Sequence, residues 1–258
     1  MKIAFFDSGI GGLSALEEAT EKISADFLFY ADRVNAPYGE KSKEDILKYT
    51  DRACRFLIEK GAEAIVLACN TATSVAAKML REKYTLPIIG MEPAVKYALD
   101  LDDTKRVLVI ATPVTVKGEK MKELIGRVDK AHLVDLLALP KLVKFAESGE
   151  FVGENVISYL EGELKPYDFT KYSALVLGCT HFNYFKDSLR KLLPIEVGLI
   201  DGNSGTIKEL MRRLDLTENL SKTQSIEYFY SGEKIDDANE IRQLKGYMMR
   251  LKAMREIK

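Results

Sequence analysis

Two stretches decide the fold: Ala64-Ile65-Val66-Leu67-Ala68-Cys69-Asn70-Thr71 and Ala174-Leu175-Val176-Leu177-Gly178-Cys179-Thr180-His181. In each, a short run of β-branched and aliphatic residues stops at a cysteine. Polar or hydroxyl-bearing residues and then an amphipathic segment follow. A run that is apolar on both alternating positions reads as a strand covered on both faces, as in a parallel sheet. The two stretches match position by position, so the chain carries the same βα unit twice.

Working outward, short apolar runs alternate with longer amphipathic segments, the pattern of βα units around parallel sheets. Strands are predicted near residues 3–6, 27–30, 64–67, 88–89, 107–110, 133–137, 175–177, 197–200 and 227–230. Helices are predicted at about 12–23, 43–60, 73–83, 93–99, 115–127, 141–147, 153–164, 185–193 and 205–214, with a last helix from about 237. Each cysteine-ended strand is followed by another with a polar end, Met91-Glu92-Pro93 and Asp201-Gly202-Asn203. Each half also opens on a strand with a polar end, Asp7-Ser8 and Ala111-Thr112. The fold class expected is α/β: two similar, pseudo-symmetric domains with central, mainly parallel sheets. Ligands of open parallel sheets bind beyond the carboxyl ends of the strands. If the halves face each other, Cys69 and Cys179 look across one interdomain cleft.

Composition narrows the function. The 258 residues are 47% hydrophobic with a formal net charge of −1, a soluble globular profile that gives no reason to expect nucleic acid or membrane as partner. No run approaches the roughly 18 apolar residues that span a bilayer. Met1-Lys2-Ile3-Ala4-Phe5-Phe6-Asp7 meets an acid too early for a secretory signal, so a cytoplasmic location is expected. Three cysteines without an export signal read as reduced thiols. Two histidines and no Cys-x-x-Cys pair leave no zinc-type spacing, and no metal is expected.

Opposed thiols suit one kind of chemistry. Inverting an amino acid at its α-carbon needs a base on one face and an acid on the other. A thiol, with reference pKa of about 8.5, serves either role near neutral pH. With the carbon between them, the sulfurs would sit about 7 Å apart, too far for a disulfide. Read singly, each cysteine is a small buried hydrophobe; two in matched contexts favour the chemical reading. Such a site needs no Schiff-base lysine, so no cofactor, pyridoxal phosphate included, is expected.

Around this pair, the loop Asp7-Ser8-Gly9-Ile10-Gly11-Gly12 lets backbone N–H groups approach an anion, although its spacing is not the dinucleotide fingerprint. The run from Ala31 to Gly39, with Pro37 and Tyr38, reads either as part of a site or as a solvated connection. His181, two residues past Cys179, is placed to orient or ionise that thiol. His132 opens an apolar strand and is given no catalytic role. Cys54 reads as a packing residue. Near the C-terminus, Met248, Met249, Leu251 and Met254 interleave with basic residues at helical spacing, the pattern of a docked helix with one solvated face.

At these residues the chain resembles the glutamate racemases, cofactor-independent enzymes that supply D-glutamate for bacterial cell walls. The matching motifs run from Phe6-Asp7-Ser8-Gly9-Ile10-Gly11-Gly12 and Pro37-Tyr38-Gly39-Glu40-Lys41-Ser42 through Ala68-Cys69-Asn70-Thr71-Ala72-Thr73 and Gly178-Cys179-Thr180-His181 to Tyr228-Phe229-Tyr230-Ser231-Gly232. The resemblance implies a discontinuous first domain, 1–93 with 205–258, and a second spanning 94–204. It implies Cys69 and Cys179 as catalytic acid and base, the first deprotonating the D-isomer and the second the L-isomer. Asp7 would assist Cys69, and His181 and Glu147 would assist Cys179. Asp7, Ser8, Pro37, Tyr38, Gly39, Asn70, Thr71, Thr112, Thr180 and His181 would hold glutamate. A homodimer is the expected assembly. One stretch departs: a Cys-Pro pair in the family is Leu139-Pro140 here, ahead of Glu147.

Two alternatives remain open on the sequence. Aspartate, one methylene shorter, is discriminated by only about 1–3 kcal/mol in such a pocket. A non-catalytic binding or regulatory protein on the same scaffold is the other, against which the two intact cysteines stand.

Overall fold

A computed structural model describes residues 1–218 and 225–258. From the N-terminus run β1 (Lys2–Asp7), α1 (Leu13–Thr20), β2 (Asp26–Ala31), α2 (Lys43–Glu59), β3 (Ala64–Leu67), α3 (Asn70–Lys83) and β4 (Ile88–Gly90). The chain continues with α4 (Val95–Leu101), β5 (Arg106–Ala111), α5 (Pro113–Lys117), α6 (Glu119–Val128), β6 (Val134–Ala138), α7 (Pro140–Glu147) and α8 (Glu154–Leu164). It ends with β7 (Tyr172–Leu177), α9 (Lys186–Leu192), β8 (Gly198–Asp201), α10 (Asn203–Arg213), β9 (Ile226–Tyr230), β10 (Glu233–Lys234) and α11 (Ala238–Arg255).

Two mainly parallel sheets result, ordered β10-β9-β2-β1-β3-β4 and β6-β5-β7-β8. Within the first sheet, β2-β1-β3-β4 repeats the order β6-β5-β7-β8 of the second, strand for strand. Cys69 follows β3 and Cys179 follows β7, the equivalent strand of each unit. The internal repeat in the sequence is therefore a repeat of topology.

Alternation along each strand assigns the cores. Ala4 and Phe6 face the layer of α2 and α3, while Ile3 and Phe5 face the opposite side of their sheet. In the second sheet, Val107 and Val109 face α4 and α6, and Leu108 and Ile110 turn the other way. Ile3, Phe5, Leu108 and Ile110 belong to one continuous apolar cluster that also takes in Leu244 and Leu251 of α11. The inner faces of both sheets thus share one core, with the C-terminal helix sealed into it. Met249 on that helix is 74% exposed, so it departs from the buried stripe to which the sequence assigned it.

The differences from the expected elements have local causes. Helix α3 begins at Asn70 rather than near 73, because the Cys69 sulfur accepts the Ala72 N–H at 3.5 Å and caps the helix. The single helix expected over 115–127 is two. Thr112 caps the first, accepting from Thr115 N–H at 3.4 Å, with Pro113 at its first position. A cap of this type contributes about 1 kcal/mol. Gly118 separates the two helices. Strand β10 is two charged residues after the left-handed pair Ser231 and Gly232 (φ 50° and 99°), too short to leave a periodic signal.

Candidate active site

Every site residue singled out in the sequence, except Glu147, follows the carboxyl end of a parallel strand. Asp7 closes β1 and Ser8 follows it. Pro37, Tyr38 and Gly39 lie in the connection after β2. Cys69, Asn70 and Thr71 follow β3, Thr112 follows β5, and Cys179, Thr180 and His181 follow β7. Glu147 comes from the last turn of α7.

The two halves meet through these side chains. Thr180 Oγ1 donates to Asp7 Oδ2 at 2.8 Å, and Thr71 Oγ1 lies 2.9 Å from Thr112 Oγ1. Asp7 Oδ1 accepts from Gly9 N–H at 3.1 Å and from the Ser8 hydroxyl at 3.3 Å, and Ser8 Oγ lies 3.6 Å from Cys69 Sγ. The Asp7 carboxyl therefore reaches Cys69 through Ser8 and touches the Cys179 turn through Thr180. On the other side, Cys179 Sγ is 3.8 Å from His181 Nδ1. His181 Nε2 is 2.6 Å from Glu147 Oε1, which also accepts the Ile10 N–H at 2.8 Å. Both cysteines are buried, each 6% exposed.

Electrostatics differ on the two sides. Burial pushes the Cys69 thiol up to about 12, with the Asp7 charge and then Cys179 adding to the shift, so Cys69 rests as a thiol. Burial also raises the Asp7 carboxyl, against the opposing pull of His181 and the Thr180 hydrogen bond. For His181, burial works against the cation, but its bonds to Cys179 and Glu147 outweigh it and hold the imidazolium well above its ordinary range. Burial likewise opposes the Glu147 carboxylate, and the His181 bond and charge override it. The pair is thus imidazolium and carboxylate, beside one sulfur only. Glu147→Gln is expected to move the His181 titration midpoint down toward its ordinary value, read by NMR of the two imidazoles; an unmoved midpoint would uncouple them.

Glycines let the loop after β1 lie flat against this machinery. A Cβ on Gly9 would stand 1.9 Å from Glu147 Oε1, and one on Gly11 would stand 2.5 Å from both His181 Nδ1 and Thr180 Oγ1. Gly39 packs on Thr112 in the same way, at 2.7 Å. Tyr38 is buried with its hydroxyl committed to Asp32 Oδ2 at 2.7 Å, so its ring rather than its O–H shapes the site. Asn70 is buried, and its Oδ1 has no hydrogen-bond partner among the described residues. A buried acceptor of that kind is costly unless something donates to it. Beside it lies a cavity of about 160 Å³, bounded by Asn70, Thr73, Glu92, Pro93, Lys120 and Arg127. That space adjoins the site and does not lie between the sulfurs.

Sequence reasoning missed two groups. Thr115 Oγ1 joins the Thr71–Thr112 pair at 3.3 and 3.0 Å, making a trio of hydroxyls across the two sheets. Its signal was there: the third residue after a capping threonine returns to the helix start. Asp32, the residue after β2, is fully buried and accepts from Tyr38, Asn35 and Ser231. In the sequence it is one unremarked residue of the Ala31–Gly39 run. His132 is exposed in the turn before β6, Cys54 is buried in α2, and Leu139 is buried in the shared core. Among the described residues no cluster of side chains could hold a metal ion, and no helix is long and apolar enough to cross a membrane.

Two matched α/β units, each with a thiol just after the equivalent strand and joined through Asp7, Thr180 and the threonine hydroxyls, define the class of protein by architecture and site. The Asp/Glu/Hydantoin racemase family matches residues 12–246, and the chain belongs to that family. It is 57% identical to the glutamate racemase of Campylobacter curvus, with all of both chains covered. Its structure is similar to that of glutamate racemase from Campylobacter jejuni, with a TM-score of 0.82, 29% identity and 96% and 98% of the two chains covered. It is also similar to Escherichia coli glutamate racemase in complex with L-glutamate and the activator UDP-MurNAc-Ala, with a TM-score of 0.81, 27% identity and coverage of 97% and 94%.

Proposed function

We propose that this chain interconverts L- and D-glutamate by two-base proton transfer, with Cys179 taking the α-proton of the L-isomer and Cys69 that of the D-isomer. The observation that carries the reading is the pair of thiols after equivalent strands, each with its own partners, linked through Ser8, Asp7 and Thr180. In the L-to-D direction the C–H electron pair stays on the α-carbon as Cys179 takes the proton. Cys69, resting as a thiol, then delivers its own proton to the opposite face. The D-to-L direction reverses these roles. His181 and Glu147 orient the Cys179 side, and Asp7 with Ser8 the Cys69 side.

An α-carbanion beside a carboxylate forms only if negative charge there is met by fixed donors. The hydroxyl trio of Thr71, Thr112 and Thr115 and the N–H groups at the start of α3 supply them, while Thr180 holds Asp7 in place. Asp7 and the unpartnered Oδ1 of Asn70 are acceptors for the ammonium group. Ser8, Pro37, Tyr38 and Gly39 close the remaining wall.

In this reading residues 1–93 with 205–258 form one domain and 94–204 the other, with substrate between them, and two chains assemble as a cytoplasmic homodimer. The D-glutamate formed supplies peptidoglycan synthesis. A polarimetric assay with L-glutamate, on reduced protein free of pyridoxal phosphate, should show rotation decaying to zero. Constant rotation with folded, reduced protein would defeat the proposal, and faster turnover of aspartate would change its substrate.

A further inference from the structure

The turn that carries His181 is a short 3-10 helix, Thr180–Phe185, and all six of its residues are buried. So short a helix satisfies few of its own carbonyls, and its end must be held from outside. The holder comes from the far end of the chain. Arg250 of α11 donates through Nε and Nη2 to the Tyr184 carbonyl at 3.2 and 2.8 Å. The same Nη2 donates to both oxygens of Asp187 at 2.9 Å. The guanidinium also lies 5.2 Å over the ring of Phe151, which stacks on Tyr184 with centroids 4.5 Å apart and planes 14° apart.

From Tyr184 the contacts return to the reacting sulfur. Its hydroxyl donates to the Ile10 carbonyl at 3.1 Å. The Ile10 N–H donates to Glu147, and Glu147 holds His181 beside Cys179. Arg250, Tyr184, Ile10, Glu147 and His181 thus close a ring through the backbone of the turn. The ring closes on the Cys179–His181 turn; Ile10 lies two residues from Ser8, but no contact in the ring is made to Cys69.

We infer that Arg250 is a positioning residue for one half of the reaction, fixing the Cys179–His181 turn for proton transfer at that sulfur while leaving the Cys69 half unaffected. The inference rests on the racemase reading above, and its test separates the two. Lysine cannot replace this group, because a single ammonium cannot span carbonyl and carboxylate while lying flat on a ring.

The test uses wild type, Arg250→Lys and Arg250→Ala, with α-deuterated L- and D-glutamate. The two isomers are equally stable, so kcat/KM must fall by the same factor in both directions; about tenfold is expected for either variant. Isotope effects are free of that constraint, since each labelled isomer reports only the sulfur that removes its deuterium. If removal by Cys179 becomes slower, the isotope effect with L-glutamate rises and that with D-glutamate falls. Millimolar guanidinium is expected to restore part of the rate of Arg250→Ala, because the native side chain is partly exposed (22%). Isotope effects that move equally, or rates like wild type, would overturn the inference. If Arg250→Ala does not fold, the isotope effects of Arg250→Lys decide. Failure of wild type to racemise glutamate would instead remove the functional reading itself.

Discussion

Cys69→Ser and Cys179→Ser are each expected to lower racemisation of both glutamate isomers by about 10³-fold, within the range of a single general acid or base. The serine keeps the shape of the site but is a far weaker acid, so it neither gives nor takes the α-proton. A loss of this size is about 4 kcal/mol of transition-state stabilisation. Both directions fail together because inversion needs both groups in sequence. Exchange of the α-proton with solvent needs only one. Cys69→Ser should therefore still exchange the α-proton of L-glutamate without inverting it, and Cys179→Ser that of D-glutamate. Proton NMR in D2O reads both. Undiminished racemisation by either variant, or exchange on the wrong isomer, would contradict the assignment of faces.

Gly11→Ala is the second large effect. The added methyl would meet His181 Nδ1 and Thr180 Oγ1 at 2.5 Å and the His181 backbone nitrogen at 2.8 Å. The backbone contact cannot be relieved by rotating a side chain, so the turn after Cys179 must move away from the loop after β1. A displacement of about 1 Å in a positioned site costs roughly 10²-fold in rate. The control is Gly126→Ala on α6, where a methyl would meet nothing within 4 Å. Relief of a glycine in the last turn of that helix should add up to about 0.5–1 kcal/mol of stability and leave kcat/KM unchanged. Equal activities for the two variants would show that the close approach at Gly11 has no catalytic consequence.

The fold was legible because its signals are local and repeated. Runs such as Ile65-Val66-Leu67 and Leu175-Val176-Leu177 are apolar on both faces, and the cysteine at which each stops marks the edge where a parallel sheet binds its ligand. Matched contexts around Cys69 and Cys179 carried the repeat. What stayed hidden depends on contacts across the chain. Arg250 looks like one of several basic residues on a helix, and only packing shows that it reaches Tyr184 and Asp187. Asp32 is only one residue of the Ala31–Gly39 run until Ser231, 199 positions later, donates to it. Glu147 sits where the family motif is altered, yet Pro140 starts α7 all the same, and Leu139 occupies the position ahead of it as a buried core residue. A helix start and apolar packing thus place a carboxylate that the motif alone left open.

The central claim is that two different groups handle the proton on opposite faces of one carbon. It is tested most directly by converting L-glutamate in D2O and sampling early. Two bases predict D-glutamate carrying deuterium at the α-carbon from the first turnover, while the remaining L-glutamate stays protonated. Product that retains the original proton, or remaining substrate that gains deuterium as fast as product forms, would mean one group serving both faces and would contradict the account.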